Sequence, residues 1–323
     1  MHFSADVLVP LRRMMGRSQL RTPADTDWDA EELNDGSVRI SVTFPASAFD
    51  GNFQGNLAAA PFFALCFAYW HEVRTGCPTR VRARVQGAPA DTLHGTRLRF
   101  VLHELAAAVQ GRLELEPSIA WPLPAGLVMN QPQTGRDTPT GRGPLSESAL
   151  ERRIVSTPAL RDDFSARVAP LASFQRQLPL GLFAGDVARA NALLPHGAAQ
   201  VDLWGTSPDR RVLHLFELKT RGNADVGILP EALAYARLLH HVRTGRIRGE
   251  GPGLIAARRA DRIVMWLIAP DYHPLVLFGD QSPITWINEG MAADGVQLRI
   301  LPFDLAEDGT IHWRPDRGVP LVE

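Results

Sequence analysis

Lysine is almost missing from this chain: Lys and Arg together number 34 in 323 residues, and all but Lys219 are arginine. Two cysteines, Cys66 and Cys77, are too few for a thiolate metal cluster and do not suggest a disulfide scaffold, so a reducing compartment is expected. Net charge is nearly absent too, at −1 with a pI near 6.8, which excludes a polybasic coat. Any nucleic-acid contact must then be local. The most apolar run, Leu57 to Trp70, falls short of the ~20 residues a membrane span needs and contains Pro61. The opening stretch MHFSADVLVPLRRMMGR lacks the basic-then-apolar order of a signal peptide, and a cytoplasmic location with no membrane partner is the expectation.

What is present is ordinary for a globular protein, with 45% apolar and 21% charged residues. Residues 130–145 hold the stretch NQPQTGRDTPTGRG, almost devoid of apolar side chains and therefore without a face to bury. It is read as a linker between an α+β domain at 1–129 and a second domain at 146–323. In the first, SVRISVTF at 37–44 alternates as a strand, and Asn56 to Val73 has the pattern of a buried helix with proline near its start. Thr96 to Leu102 and Gly111 to Leu115 are expected as further strands. No chemical motif stands out in this half, and Cys66, Trp70 and His71 are read as core and helix-surface residues.

The second half has a clearer order. Ser146 to Ser156 is helical by pattern, with Leu150 and Ile154 on one side. Strands are expected at Leu178 to Phe183, Ala199 to Trp204 and Val212 to Leu218, then a helix at Leu229 to Val242 opened by proline. Arg262 to Ala269 is a fully apolar strand, followed by a short helix at Pro283 to Glu289 and a last strand at Val296 to Leu301. The succession helix, three strands, helix, strand implies an α/β arrangement around one sheet.

Lys219 lies in FELKT. Residues two apart on a strand share a face, so Glu217 and Lys219 project together. Asp202, on the preceding strand, comes near Glu217 if the strands form a hairpin about SPDRR. Carboxylates on neighbouring strands make a hard oxygen site of the kind Mg²⁺ or Mn²⁺ uses, and an adjacent ammonium can position an attacking water. Lysine offers a compact point charge whose pKa can move, where arginine offers a permanently charged planar fork.

The order Glu151 on a helix, Asp202, Glu217-Leu218-Lys219, then a helix with Glu231 and Tyr235 resembles the PD-(D/E)XK nuclease superfamily. The resemblance covers Ser146 to Asp304, about half the chain. It implies a restriction-endonuclease-like core, metal held by Asp202 and Glu217 with support from Glu151, and Lys219 acting on the nucleophilic water. Many such nucleases carry Gln-x-x-x-Tyr on the next helix; here Glu231 stands at the Gln position, ahead of Tyr235. Glu147, one turn before Glu151, is an alternative helix carboxylate, and Ser148 with Glu151 also fits a capping box. The stretches Arg176 to Leu180 and Asn223 to Gly227 look like weaker neighbours of such a site.

The implied activity is metal-dependent phosphodiester hydrolysis on DNA in preference to RNA. The alternative is a catalytically silent module binding nucleic acid or protein. A homodimer or a protein partner through the first domain is left open. For phosphate contact the best local cluster holds Arg243, Arg246, Arg248, Arg258 and Arg259. His196, His240 and His241 are read as surface residues, since no Cys or His spacing supports zinc.

Overall fold

The computed structural model describes the whole chain except residues 19, 53–54, 90, 120, 122–123, 131–145, 195–198, 221–224, 307–309 and 315–323. Most of the expected linker, together with His196, Asn223 and Ala224, lies outside the described residues. The protein is mixed α/β, with eight α-helices and three mixed sheets among the described residues. It forms two compact units that are not contiguous halves. The first takes Met1–Leu123 with Asp225–Ala234 and His273–Gly290; the second takes Pro124–Ala224, Tyr235–Tyr272 and Met291–Glu323. No helix among the described residues is long and apolar enough to cross a membrane.

The first unit opens with α1 (Val9–Met15), β1 (Asp27–Glu32) and β2 (Val38–Pro45), then α2 (Ala60–Thr75), β3 (Thr79–Gln86), α3 (Leu93–Ala108) and β4 (Leu113–Leu115). Its sheet runs β1-β2-β3-β4, with β1 antiparallel to β2 and the rest parallel, so α2 and α3 are crossover helices. β2 alternates buried and half-buried positions as its sequence predicts. Cys66, Trp70 and His71 are all buried, His71 Nδ1 lying 3.0 Å from Thr79 Oγ1.

Residues 96–102 form part of a helix and not the expected strand. Thr92 caps its start, its Oγ1 accepting from the Gly95 amide at 2.9 Å. Leu98, Val101, Leu102 and Leu105 then recur at helical spacing on the buried side. Arg97 is itself buried, at 3% exposure, so the polar positions of TRLRF do not mark the solvent face that a strand reading gives them.

The second unit contributes β5 (Leu127–Asn130), α4 (Glu147–Ser156), α5 (Pro158–Arg167), β6 (Ser173–Pro179), β7 (Gly181–Ala184), β8 (Gln200–Thr206) and β9 (Val212–Leu218). Helix α6 (Ile228–Arg243) begins in the first unit and ends in the second. There follow β10 (Ile247–Glu250), α7 (Pro252–Arg259), β11 (Arg262–Ala269), β12 (Val296–Leu305) and β13 (Ile311–Trp313), while α8 (Ile284–Met291), between β11 and β12 in the chain, belongs to the first unit up to Gly290. A six-stranded sheet runs β13-β12-β11-β9-β8-β6, and a small one runs β10-β5-β7. β9, β11 and β12 are parallel neighbours, whereas β6, β8 and β9 form an antiparallel meander.

The strand expected at 178–183 is two strands in different sheets. Pro179, without an amide hydrogen to give a ladder, ends β6, and β7 leaves to pair with β5. On one face of the large sheet Leu203, Phe216, Leu218, Val264, Trp266 and Ile268 pack against Leu150 and Ile154 of α4 and Phe164 of α5. By the two-residue alternation Asp202 and Glu217 point to the opposite face.

Candidate active site

The hairpin anticipated from SPDRR is formed. The β8–β9 register pairs Leu203 with Phe216 and Thr206 with Leu213, and the turn is closed by Ser207 N donating to Val212 O at 3.0 Å. Beyond the Leu203–Phe216 pair, at the end away from the turn, the Leu218 amide donates to Asp202 Oδ2 at 2.7 Å. The aspartate therefore sits between the two strands, where the ladder would otherwise continue. On the other side of β9 the Lys219 amide donates to Ile268 O at 2.8 Å, which holds the strand end against β11.

Glu217 and Lys219 share a face as expected, with Lys219 Nζ 2.6 Å from Glu217 Oε1. Asp202, Glu217 and Lys219 are all buried. Charged groups this far from water are costly unless paired or coordinated, and the close Lys219–Glu217 contact offsets part of that cost.

Gly205, three residues along β8 from Asp202, has no room for a side chain. A Cβ there would meet Ser173 O at 2.2 Å, so the close approach of β6 to β8 depends on glycine. Across from Asp202, between the pairs Arg176–Leu203 and Leu178–Val201, β6 places Gln177 with φ +52°, left-handed backbone that non-glycine residues rarely adopt. The Gln177 side chain hydrogen-bonds Glu151.

Glu151 is buried on α4, with Arg176 Nη2 3.2 Å from its Oε2. Burial pushes its carboxyl pKa up, while Arg176 and Gln177 pull it down. The capping role is taken by Ser146, whose Oγ accepts from Ala149 N at 3.3 Å, and not by a box of Ser148 and Glu151. Glu147 is near enough to Glu151 to disfavour its charge. The structure thus places Asp202 on the Leu218 amide between the paired Glu217 and Lys219, and pairs Glu151 with Arg176 and Gln177. Among the described residues no three His, Cys, Asp or Glu side chains are grouped to hold a metal.

Glu231 and Tyr235 lie one turn apart on α6, both buried, Glu231 in the first unit and Tyr235 in the second. His240 and His241, expected at the surface, are buried as well. His240 lies among Arg237, Arg243 and Asp294, and burial reinforced by Arg237 lowers its pKa to about 4. Arg243 donates to the carbonyls of Asp261 and Asp294, tying the end of α6 to the strands behind it. Arg258 likewise donates to Gly249 O. Two of the five arginines expected to meet phosphate are therefore engaged internally, while Arg246, Arg248 and Arg259 are exposed.

Sequence inspection alone missed a second buried cluster on the α4 face. Trp266 Nε1 donates to His214 Nδ1 at 3.2 Å, and Arg299 stacks over the indole at 4.9 Å. Burial, then Arg299 and Arg262, lower the His214 pKa to about 4.

Comparison with protein-family models, with curated proteins and with solved structures finds no match for this chain.

Proposed function

We propose that the second unit is a restriction-endonuclease-like domain of the PD-(D/E)XK type and that the chain is a metal-dependent nuclease, acting on DNA in preference to RNA. The observation that carries this reading is that the Asp202 carboxylate is held by the Leu218 amide, between the paired residues Glu217 and Lys219. The chain order α4, β6-β8-β9, α6, β11, a helix, a three-strand meander, a helix and a strand parallel to β9, supports it further.

The donor set fits a hard divalent cation. Asp202 and Glu217 would hold Mg²⁺ or Mn²⁺, a number of carboxylates that suits an ion keeping several waters and taking phosphate oxygens. Bound there, the cation would neutralise charge at the scissile phosphate and favour ionisation of a water. Lys219, held beside Glu217, orients that water for in-line attack and meets the negative charge that develops. The Leu218 amide fixes the Asp202 carboxylate, and Glu151 is held by Arg176 and Gln177.

The test is cleavage of labelled single- and double-stranded DNA and RNA with Mg²⁺, Mn²⁺ or EDTA, comparing wild type with Asp202→Asn. Cutting that needs metal and is lost in the variant is the expected result. A folded wild type that cuts nothing with either metal would leave the silent binding module as the better reading.

A further inference from the structure

The exposed arginines do not surround the carboxylate pair. β9 and β11 are parallel, with Ile268 beside Leu218 at one end and Arg262 beside Val212 at the other. Six residues at ~3.3 Å each separate the two ends by ~20 Å. Arg262 begins β11, and the β8–β9 turn carrying Arg210 lies beside it, since the Asp261 and Arg262 amides both donate to Arg211 O. Arg246 follows the end of α6, which Arg243 ties to Asp261 O, and Arg259 ends α7 two residues before Asp261. Arg248 lies on β10, whose Gly249 carbonyl is bound by Arg258.

Arg210, Arg246, Arg248, Arg259 and Arg262 are all exposed. None of the five forms an ion pair with a described residue, whereas the acids nearby are largely engaged. Asp261 is paired with Arg211, and Asp209 accepts from Ser207 Oγ and the Arg211 amide. Glu250 is the remaining exposed acid of β10. In a chain of net charge −1, this end of the sheet carries a local positive excess balanced elsewhere. Its field reaches inward, because Arg262 disfavours protonation of both His214 and Arg299.

We propose that this arginine-bearing end of the large sheet is a surface for the phosphate backbone of duplex DNA, separate from the Asp202–Glu217–Lys219 site. Arginine's planar fork suits bidentate contact to phosphate oxygens. Binding and any cleavage are then carried by different ends of one domain, and the surface does not depend on the hydrolytic reading. Along a duplex rising 3.4 Å per base pair, ~20 Å corresponds to about six pairs, so a substrate touching both must extend that far past the scissile bond.

The experiment measures anisotropy of a labelled 20-base-pair duplex in EDTA over a salt series, for wild type and for Arg246→Ala/Arg248→Ala/Arg259→Ala/Arg262→Ala. Circular dichroism checks the fold of the variant. Each phosphate contact removed should reduce the log–log salt slope by about 0.9, so the quadruple variant should lose a slope of roughly 3 to 4 and bind at least tenfold more weakly at low salt. Equal affinity and equal slope in a folded variant would overturn the proposal. Parallel Mg²⁺ reactions on a small chromogenic phosphodiester separate the two claims. Hydrolysis with unchanged duplex binding in the variant rejects the surface and keeps the nuclease; arginine-dependent binding without hydrolysis keeps the surface and rejects the nuclease.

Discussion

Lys219 Nζ lies 2.6 Å from Glu217 Oε1, with the two side chains 7% and 4% exposed. A buried ion pair is weak evidence of stabilisation, yet removing one partner costs about 3–5 kcal/mol because the other charge stays behind. Lys219→Ala should therefore lower unfolding stability by about that much, and the neutral double variant Glu217→Gln/Lys219→Met should recover at least half of it. Urea denaturation of Lys219→Ala gives the loss, and that of Glu217→Gln, Lys219→Met and the double variant gives the cycle. A Lys219→Ala loss below about 1 kcal/mol, the range of exposed pairs, would show that the site is wetter than its burial implies.

How far this site was legible in the sequence follows from how local its causes are. β9 and β11 have the expected bounds because both are short and mostly apolar, and nearly every position of each is buried. The β8–β9 hairpin and the shared face of Glu217 and Lys219 followed from a turn and a two-residue period, both local. The pairing of Glu151 with Arg176 did not, because it joins an α4 residue to a β6 residue through tertiary packing. Gln177 gave no sign of its left-handed backbone, since no glycine or asparagine marks the position. Nor could composition reveal that residues 225–234 and 273–290 return to the first unit.

The fixation of Glu151 by Arg176 and Gln177 separates two roles that sequence could not. As a residue that positions β6, Glu151 should tolerate Gln, which keeps an acceptor for Arg176, better than Ala, which leaves a half-buried guanidinium without its carboxylate. Glu151→Ala should cost about 3 kcal/mol and Glu151→Gln clearly less. Mn²⁺ binding, followed by electron paramagnetic resonance, should keep its half-saturation in Glu151→Gln and lose it in Asp202→Asn. A tenfold weakening of Mn²⁺ binding in Glu151→Gln would make Glu151 a ligand after all.

His214 supplies a pH dependence of stability whose sign is fixed by its burial among Trp266, Arg299 and Arg262. Its folded pKa of about 4 lies below the unfolded value near 6.5. Between those values the unfolded chain binds the extra proton, so stability is present above about pH 6.5 and falls as pH drops toward 4. At about 1.4 kcal/mol per pKa unit the loss over the window is on the order of 3 kcal/mol. His240, lowered similarly, adds to it. His214→Gln retains an acceptor for the indole N–H and removes the titration. Melting from pH 7.5 to 4.5 should show a shallower decline in this variant, and identical slopes would place His214 outside the linkage.

One lysine among arginines poses a question that the geometry turns into a measurement. The slot around Lys219 is 6% exposed, and its ammonium meets Glu217 at a distance that suits a point donor. Arginine would bring a wider, planar head on a stem of different reach and could not lower its pKa to exchange a proton. If Lys219 orients the attacking water, Lys219→Arg should retain net charge and much of the stability that Lys219→Ala loses, yet reduce cleavage by at least 10²-fold, in line with the loss of a positioned acid–base group. Single-turnover cleavage of a labelled duplex beside urea denaturation separates the two effects. Near-wild-type cleavage by Lys219→Arg would mean that the position asks only for positive charge, and the rarity of lysine elsewhere would carry no chemical meaning.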